Sequence, residues 1–102
     1  MGKPPESLDA ALTAVAARRT EMLALARSWV EINSYTSNVA GVNHVGALLR
    51  EAFALPSLTC TVVRGGAEHG AHLIWRTPAA QRPGAAPILL VGHHDTVFPP
   101  GH

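Results

Sequence analysis

Residues 88–91, Ile-Leu-Leu-Val, constrain the fold of this chain more than any other stretch. They follow a loop punctuated by Pro78, Pro83 and Pro87, and they carry neither charge nor polar–apolar alternation. A strand with one wet face alternates, whereas an uninterrupted apolar run reads as a strand buried on both faces. The run therefore predicts a central strand, which in turn requires neighbouring strands and helices to cover it. It ends in Gly92 and then delivers His93, His94 and Asp95, polar chemistry at the C-terminal end of an apolar strand.

The rest of the chain supplies elements suited to that arrangement. Ser7 is placed to cap a helix, with Asp9 in the favourable first turn. Leu8, Leu12, Val15, Met22, Ala26 and Trp29 recur at helical spacing, with a break at Arg19, and predict one long amphipathic helix to about Ile32. Arg18, Glu21, Arg27 and Glu31 fall on its other faces and read as a solvated surface. The hydroxyl- and amide-rich residues 33–38 break the pattern, and Ser34 and Thr36 read there as turn and cap chemistry. A second helix is predicted over about 39–54, with Val42, Val45, Leu49, Ala52 and Phe53 as its apolar face. Gly41 and Gly46 weaken it intrinsically unless they mark close contact with a neighbour. Residues 58–63 and 72–76 read as two antiparallel strands about a glycine-rich turn. His44, His69 and His72 read as surface residues, and the single cysteine, Cys60, as a small buried residue in a strand. The expected fold class is α/β, two N-terminal helices packed on a mixed β-sheet, in a single domain preceded by a loose leader over 1–6.

Composition excludes several kinds of partner. The formal net charge is +1 with scattered basic residues, so no nucleic-acid partner is expected. The N-terminus lacks an apolar signal core, and no stretch approaches ~18 uninterrupted apolar residues, so no membrane span is expected and a cytoplasmic location is the default.

In an extended chain, residues i and i+2 project to the same side, so His93 and Asp95 are expected together and His94 opposite. Neutral imidazole is a good zinc ligand, and an adjacent carboxylate can accept a hydrogen bond from the ring and fix its tautomer. Alone, a His-x-Asp pair is a weak signal for a metal, and a structural hydrogen bond is its commoner meaning.

The stretch Gly92-His93-His94-Asp95-Thr96-Val97 resembles the Gly-His-x-Asp-x-Val signature of the co-catalytic zinc peptidases and deacylases, a family that includes glutamate carboxypeptidase, acetylornithine deacetylase, succinyl-diaminopimelate desuccinylase and aminoacylase. The first helix running into Ser34-Tyr35-Thr36 is similar to the helix and Ser-x-Thr opening of the same enzymes, and the second helix and hairpin follow in the expected order.

The resemblance implies an incomplete zinc-peptidase-like (phosphorylase/hydrolase-like) catalytic domain, with residues 1–102 as its N-terminal portion. It implies that His93 is a zinc ligand and that Asp95 orients its imidazole, while His94 matches a variable position. It further implies two zinc ions, a bridging aspartate and a glutamate general base, acting on a peptide or N-acyl-amino-acid substrate. None of the remaining family ligands can be matched in this chain. His102 follows the motif but matches no family ligand, and the acidic residues upstream lie in the leader, on the expected helices or in the hairpin turn. The chain alone is therefore expected to be inactive, and a homodimer is expected only with a smaller domain that the family carries. Two other readings remain: a small non-catalytic α/β module in which His93 and Asp95 make a structural hydrogen bond, and a remnant that binds a partner through its sheet edge.

Overall fold

The computed structural model describes residues 7–101. The expectation of a leader over 1–6 lies outside the described residues. The chain divides into two compact units at Glu31 and Ile32.

The first unit contains α1 (Leu8–Ala17) and α2 (Arg19–Val30). Ser7 caps α1 as expected, its hydroxyl accepting from the Ala10 amide at 3.1 Å, with Asp9 in the first turn. The single long helix is not formed. Arg18 leaves helical geometry at φ −101° and ψ 12°, and its amide turns back to the Val15 and Ala16 carbonyls. The Arg18 guanidinium spans the break and holds both carboxylate oxygens of Glu21, at 2.8 and 3.1 Å. Arg27 bonds Glu31 at 3.2 Å, so these four charges form the solvated face the sequence predicts. The apolar stripe behaves differently. The two helices by themselves bury none of Leu8, Leu12, Val15 or Met22.

The second unit holds α3 (Val39–Ala52), the antiparallel strands β1 (Thr59–Val63) and β2 (His72–Arg76), and a short 3-10 turn (Pro78–Gln81). Asn38 starts α3, its side-chain carbonyl accepting from the Gly41 amide at 3.2 Å while its amide nitrogen donates to the backbone and side-chain oxygens of Asn33, both at 3.0 Å. Gly41 lies so close to the Asn33 carbonyl that a side chain there would overlap it. The glycine that weakens α3 is thus what lets the preceding loop fold back onto it.

The core of this unit is small. Val42 and Val45 are each 4% exposed and Ser34 is 5% exposed. Phe53, at the end of α3, leans on Trp75 of β2, with ring centroids 5.4 Å apart at 57°. The hairpin pairs Thr59 with Arg76 through to Val63 with His72, as expected for two strands joined by a glycine-rich turn. Along β2 only Leu73 and Trp75 are drawn in, which is the alternation of a sheet with one wet face. Cys60 is half-buried rather than buried, because a two-stranded sheet covers only one side of it. His44, His69 and His72 are exposed, as their reading as surface residues requires.

The principal correction concerns residues 88–91. They form no strand, and the sheet is two-stranded and antiparallel, not mixed. Ile88, Leu89, Leu90 and Val91 are 83–89% exposed. A central strand needs hydrogen-bonding partners along both edges, but β1 and β2 pair with each other and no further strand is present among the described residues. The run keeps its apolar character and lacks the ladder that would bury it. The coarse α/β arrangement, three helices with a small sheet, stands. No helix among the described residues is long and apolar enough to cross a membrane.

Candidate functional site

Although residues 88–95 belong to no regular element, the segment that follows them is anchored. Thr96 forms a parallel bridge with Tyr35: its amide donates to the Ser34 carbonyl at 2.8 Å, and its carbonyl accepts from the Thr36 amide at 3.0 Å. The Asn33 side-chain amide adds a bond to the Phe98 carbonyl at 3.0 Å. These bonds lay residues 95–98 alongside the loop that precedes α3. The loop is itself fixed by Asn38 and by the absence of a side chain at Gly41.

That anchorage places the two expected site residues together. The Nδ1 of His93 lies 3.1 Å from Oδ1 of Asp95 and 2.9 Å from the Asp95 backbone carbonyl. Both facing atoms are acceptors, since an ionised carboxylate and a peptide carbonyl have no proton to give. Nδ1 must therefore carry the ring proton, and in the neutral ring the lone pair belongs to Nε2. The imidazole is largely exposed, at 81% of its side chain, which leaves Nε2 open. This is the arrangement in which a second group sets the tautomer of a metal-binding histidine.

Asp95 is held from its other side as well. The Thr36 hydroxyl donates to Oδ2 of Asp95 at 2.7 Å. This bond, more than any other, holds the Asp95 carboxyl below the usual carboxylate range, and the His93 ring adds to the effect. Thr36, Asp95 and His93 thus form one hydrogen-bonded chain across a sequence separation of almost sixty residues. The reading of Thr36 as turn and cap chemistry overlooked this. Asn38, not Ser34 or Thr36, supplies the side-chain cap of α3. No local pattern around Thr36 signals a partner so far along the chain.

His94 turns the opposite way, as alternation along an extended chain requires. Its ring lies against α3, with Nε2 about 3.3 Å from where a side chain on Gly46 would begin. Burial is the main force pushing its pKa down. Neighbouring His72 and His93 add to this, while the Asp95 carboxylate and the Val42 backbone oppose it.

Zinc can be tested against these residues. His93 offers one well-oriented nitrogen and Asp95 supports it. A catalytic zinc takes about three protein ligands and keeps one position open. Among the described residues, no group of three or more His, Cys, Asp or Glu side chains is placed to hold a metal ion. His102 lies outside the described residues. The pair therefore fits one corner of a metal site, and the arrangement can present a single oriented imidazole nitrogen. In comparisons with protein-family models, curated proteins and solved structures, nothing matches this chain.

Proposed function

We propose that this chain is the N-terminal part of the catalytic domain of a zinc-dependent hydrolase that cleaves a peptide or N-acyl-amino-acid amide bond. In this reading His93 is a zinc ligand and Asp95 the carboxylate that orients it. The observation that carries the reading is the chain from Thr36 through Asp95 to His93, which directs the ring proton to Nδ1, puts the lone pair of the neutral ring on Nε2 and leaves Nε2 exposed. The exposed apolar run at 88–91 also supports it, because that run suits a strand completed by further strands. The chemistry supplied by bound zinc is polarisation of the amide carbonyl and a water made nucleophilic at neutral pH. Within this chain, Asp95 holds the His93 proton on Nδ1, and Thr36 keeps the Asp95 carboxylate ionised and turned toward the ring. The remaining ligands and the general base belong, in this proposal, to residues beyond these 102, and the chain alone lacks the activity.

A structural role for the pair is the second reading, and the bridge between Tyr35 and Thr96 favours it, because the same residues tie two segments together. The exposure of His93 weighs against this role, since a solvated hydrogen bond contributes little to stability.

The two readings separate in a longer version of the protein that includes the residues downstream. Zinc content and hydrolysis of a panel of N-acyl amino acids and peptides are measured for the unaltered protein, His93→Ala and Asp95→Asn. The proposal expects His93→Ala to lose activity and bound zinc with little change in melting temperature. It expects Asp95→Asn to bind zinc about 10–100-fold more weakly. Undiminished zinc and activity in His93→Ala would sink the proposal, and a lowered melting temperature with both retained would establish the structural role.

A further inference from the structure

A groove of about 490 Å3 opens between α3 and the turn of the β1–β2 hairpin. Its floor is apolar, formed by Ala47, Val62 and Leu73, and its rim is basic, with Arg50 from α3 and Arg64 and His69 from the hairpin side. Among the described residues, no carboxylate lines it. Arg18 and Arg27 each hold a glutamate three or four residues on, whereas among the described residues the side chains of Arg50 and Arg64 make no hydrogen bond or ion pair.

The walls are preorganised. The Asn43 side-chain carbonyl accepts from the Ala71 amide at 2.8 Å and pins the turn to α3. Gly70 lies so close to Val42 that any side chain there would overlap it. Gly66 lines the groove with φ +81°, a backbone conformation that glycine adopts without strain. The groove thus has fixed walls, two unneutralised guanidinium groups, an imidazole and an apolar floor.

We infer that this groove binds a small organic phosphate monoester. The phosphoryl oxygens sit among Arg50, Arg64 and His69, and the organic part lies on Ala47, Val62 and Leu73. A carboxylate brings two oxygens and one charge, enough for one guanidinium fork. A phosphate monoester brings three terminal oxygens and about −1.5 to −2 charges near neutral pH, enough for two. The apolar floor selects an esterified phosphate over the free ion, because only the ester has apolar surface to remove from water. The inference does not depend on the role of His93.

The test is an amide NMR titration of the full chain with phenyl phosphate, with inorganic phosphate and benzoate as comparison ligands and low ionic strength throughout, since salt screens exposed charges. Saturable shifts at Gly65, Gly66, Ala47 and Ala71 are expected with phenyl phosphate. Weaker binding is expected of inorganic phosphate, which lacks the ring, and of benzoate, which lacks the second charge. Arg50→Gln and Arg64→Gln should each weaken phenyl phosphate binding about tenfold, while Arg82→Gln, outside the groove, should not. The inference is overturned if no saturable shift appears by about 10 mM ligand, or if binding survives both substitutions. It is also overturned if benzoate binds as well as phenyl phosphate, or if inorganic phosphate does.

Discussion

Replacing Gly41 by alanine sets two opposed effects against each other, and the structure decides between them. In a helix, alanine is favoured over glycine by about 1 kcal/mol. At Gly41, however, the new carbon would overlap the Asn33 carbonyl oxygen, stand 2.7 Å from the Asn38 amide nitrogen and lie 3.0 Å from the Asn33 carbonyl carbon. Two of these three atoms are backbone, so the loop must move. Moving it breaks the two 3.0 Å bonds from Asn38 to Asn33 and, with Asn38 displaced, the 3.2 Å cap to the Gly41 amide. At about 1 kcal/mol per bond, the loss is about 3 kcal/mol against a gain of about 1, a net destabilisation of about 2 kcal/mol. With a urea dependence of about 1.5 kcal/mol per molar, the unfolding midpoint should fall by roughly 1.3 M. The midpoint is read from amide NMR signals of residues 39–76 during a urea titration, and the Thr36 and Thr96 amides should exchange faster with solvent. Gly46→Ala is the internal comparison. Its added carbon meets the tip of the His94 ring at 3.3 Å and the end of the Leu73 side chain at an ordinary contact distance of 3.7 Å; a ring can turn, so the variant should be neutral or more stable by up to about 1 kcal/mol. A Gly41→Ala midpoint equal to or above that of the unaltered chain would show that the loop yields freely, and the account of how it is held would fail.

Three further outcomes follow from the same geometry. Thr36→Val removes the hydroxyl that does most to depress the Asp95 pKa, so in a carboxyl-carbon NMR titration the pKa should rise toward the ordinary 3.8, with Thr36→Ser restoring the depression. Because the folded value is depressed, the stability linked to Asp95 is present above pH 3.8 and disappears as pH falls through the folded pKa; an unchanged titration in Thr36→Val would contradict the hydrogen-bonded chain. His94 also titrates below its ordinary 6.5, so the unfolded chain binds its proton first and stability should decline as pH falls below about 6.5. That decline should shrink in His94→Gln, and an identical pH profile would argue against the burial of the ring. Leu89→Lys alters a side chain that is 83% exposed, so the unfolding free energy should change by no more than about 0.5 kcal/mol, while concentration-dependent association, measured by sedimentation, should decrease. A large loss of stability in Leu89→Lys would mean that the run is buried.

Local chemistry is what the sequence determined by itself. The Ser7 cap, the apolar spacing of Val42 and Val45, the β-branched run of β1 and the glycine-rich turn each act over a few residues, and each produced the element its pattern implies. The projection of His93 and Asp95 to one side and His94 to the other is of the same kind, because it needs only an extended backbone. Tertiary structure decided the features that depend on partners. The apolar run at 88–91 has a strand's composition, but a strand exists only where another chain segment accepts its hydrogen bonds, and none does so here among the described residues. The break at Arg18 has neither proline nor glycine to announce it, and the interrupted apolar spacing at Arg19 is its one mark in the sequence. The bond from Thr36 to Asp95 joins segments almost sixty residues apart, brought together by the fold of the loop against Gly41. Periodicity and capping record what a residue asks of its immediate neighbours. Which distant segment answers is settled when the loop, α3 and the chain around Thr96 come to lie side by side.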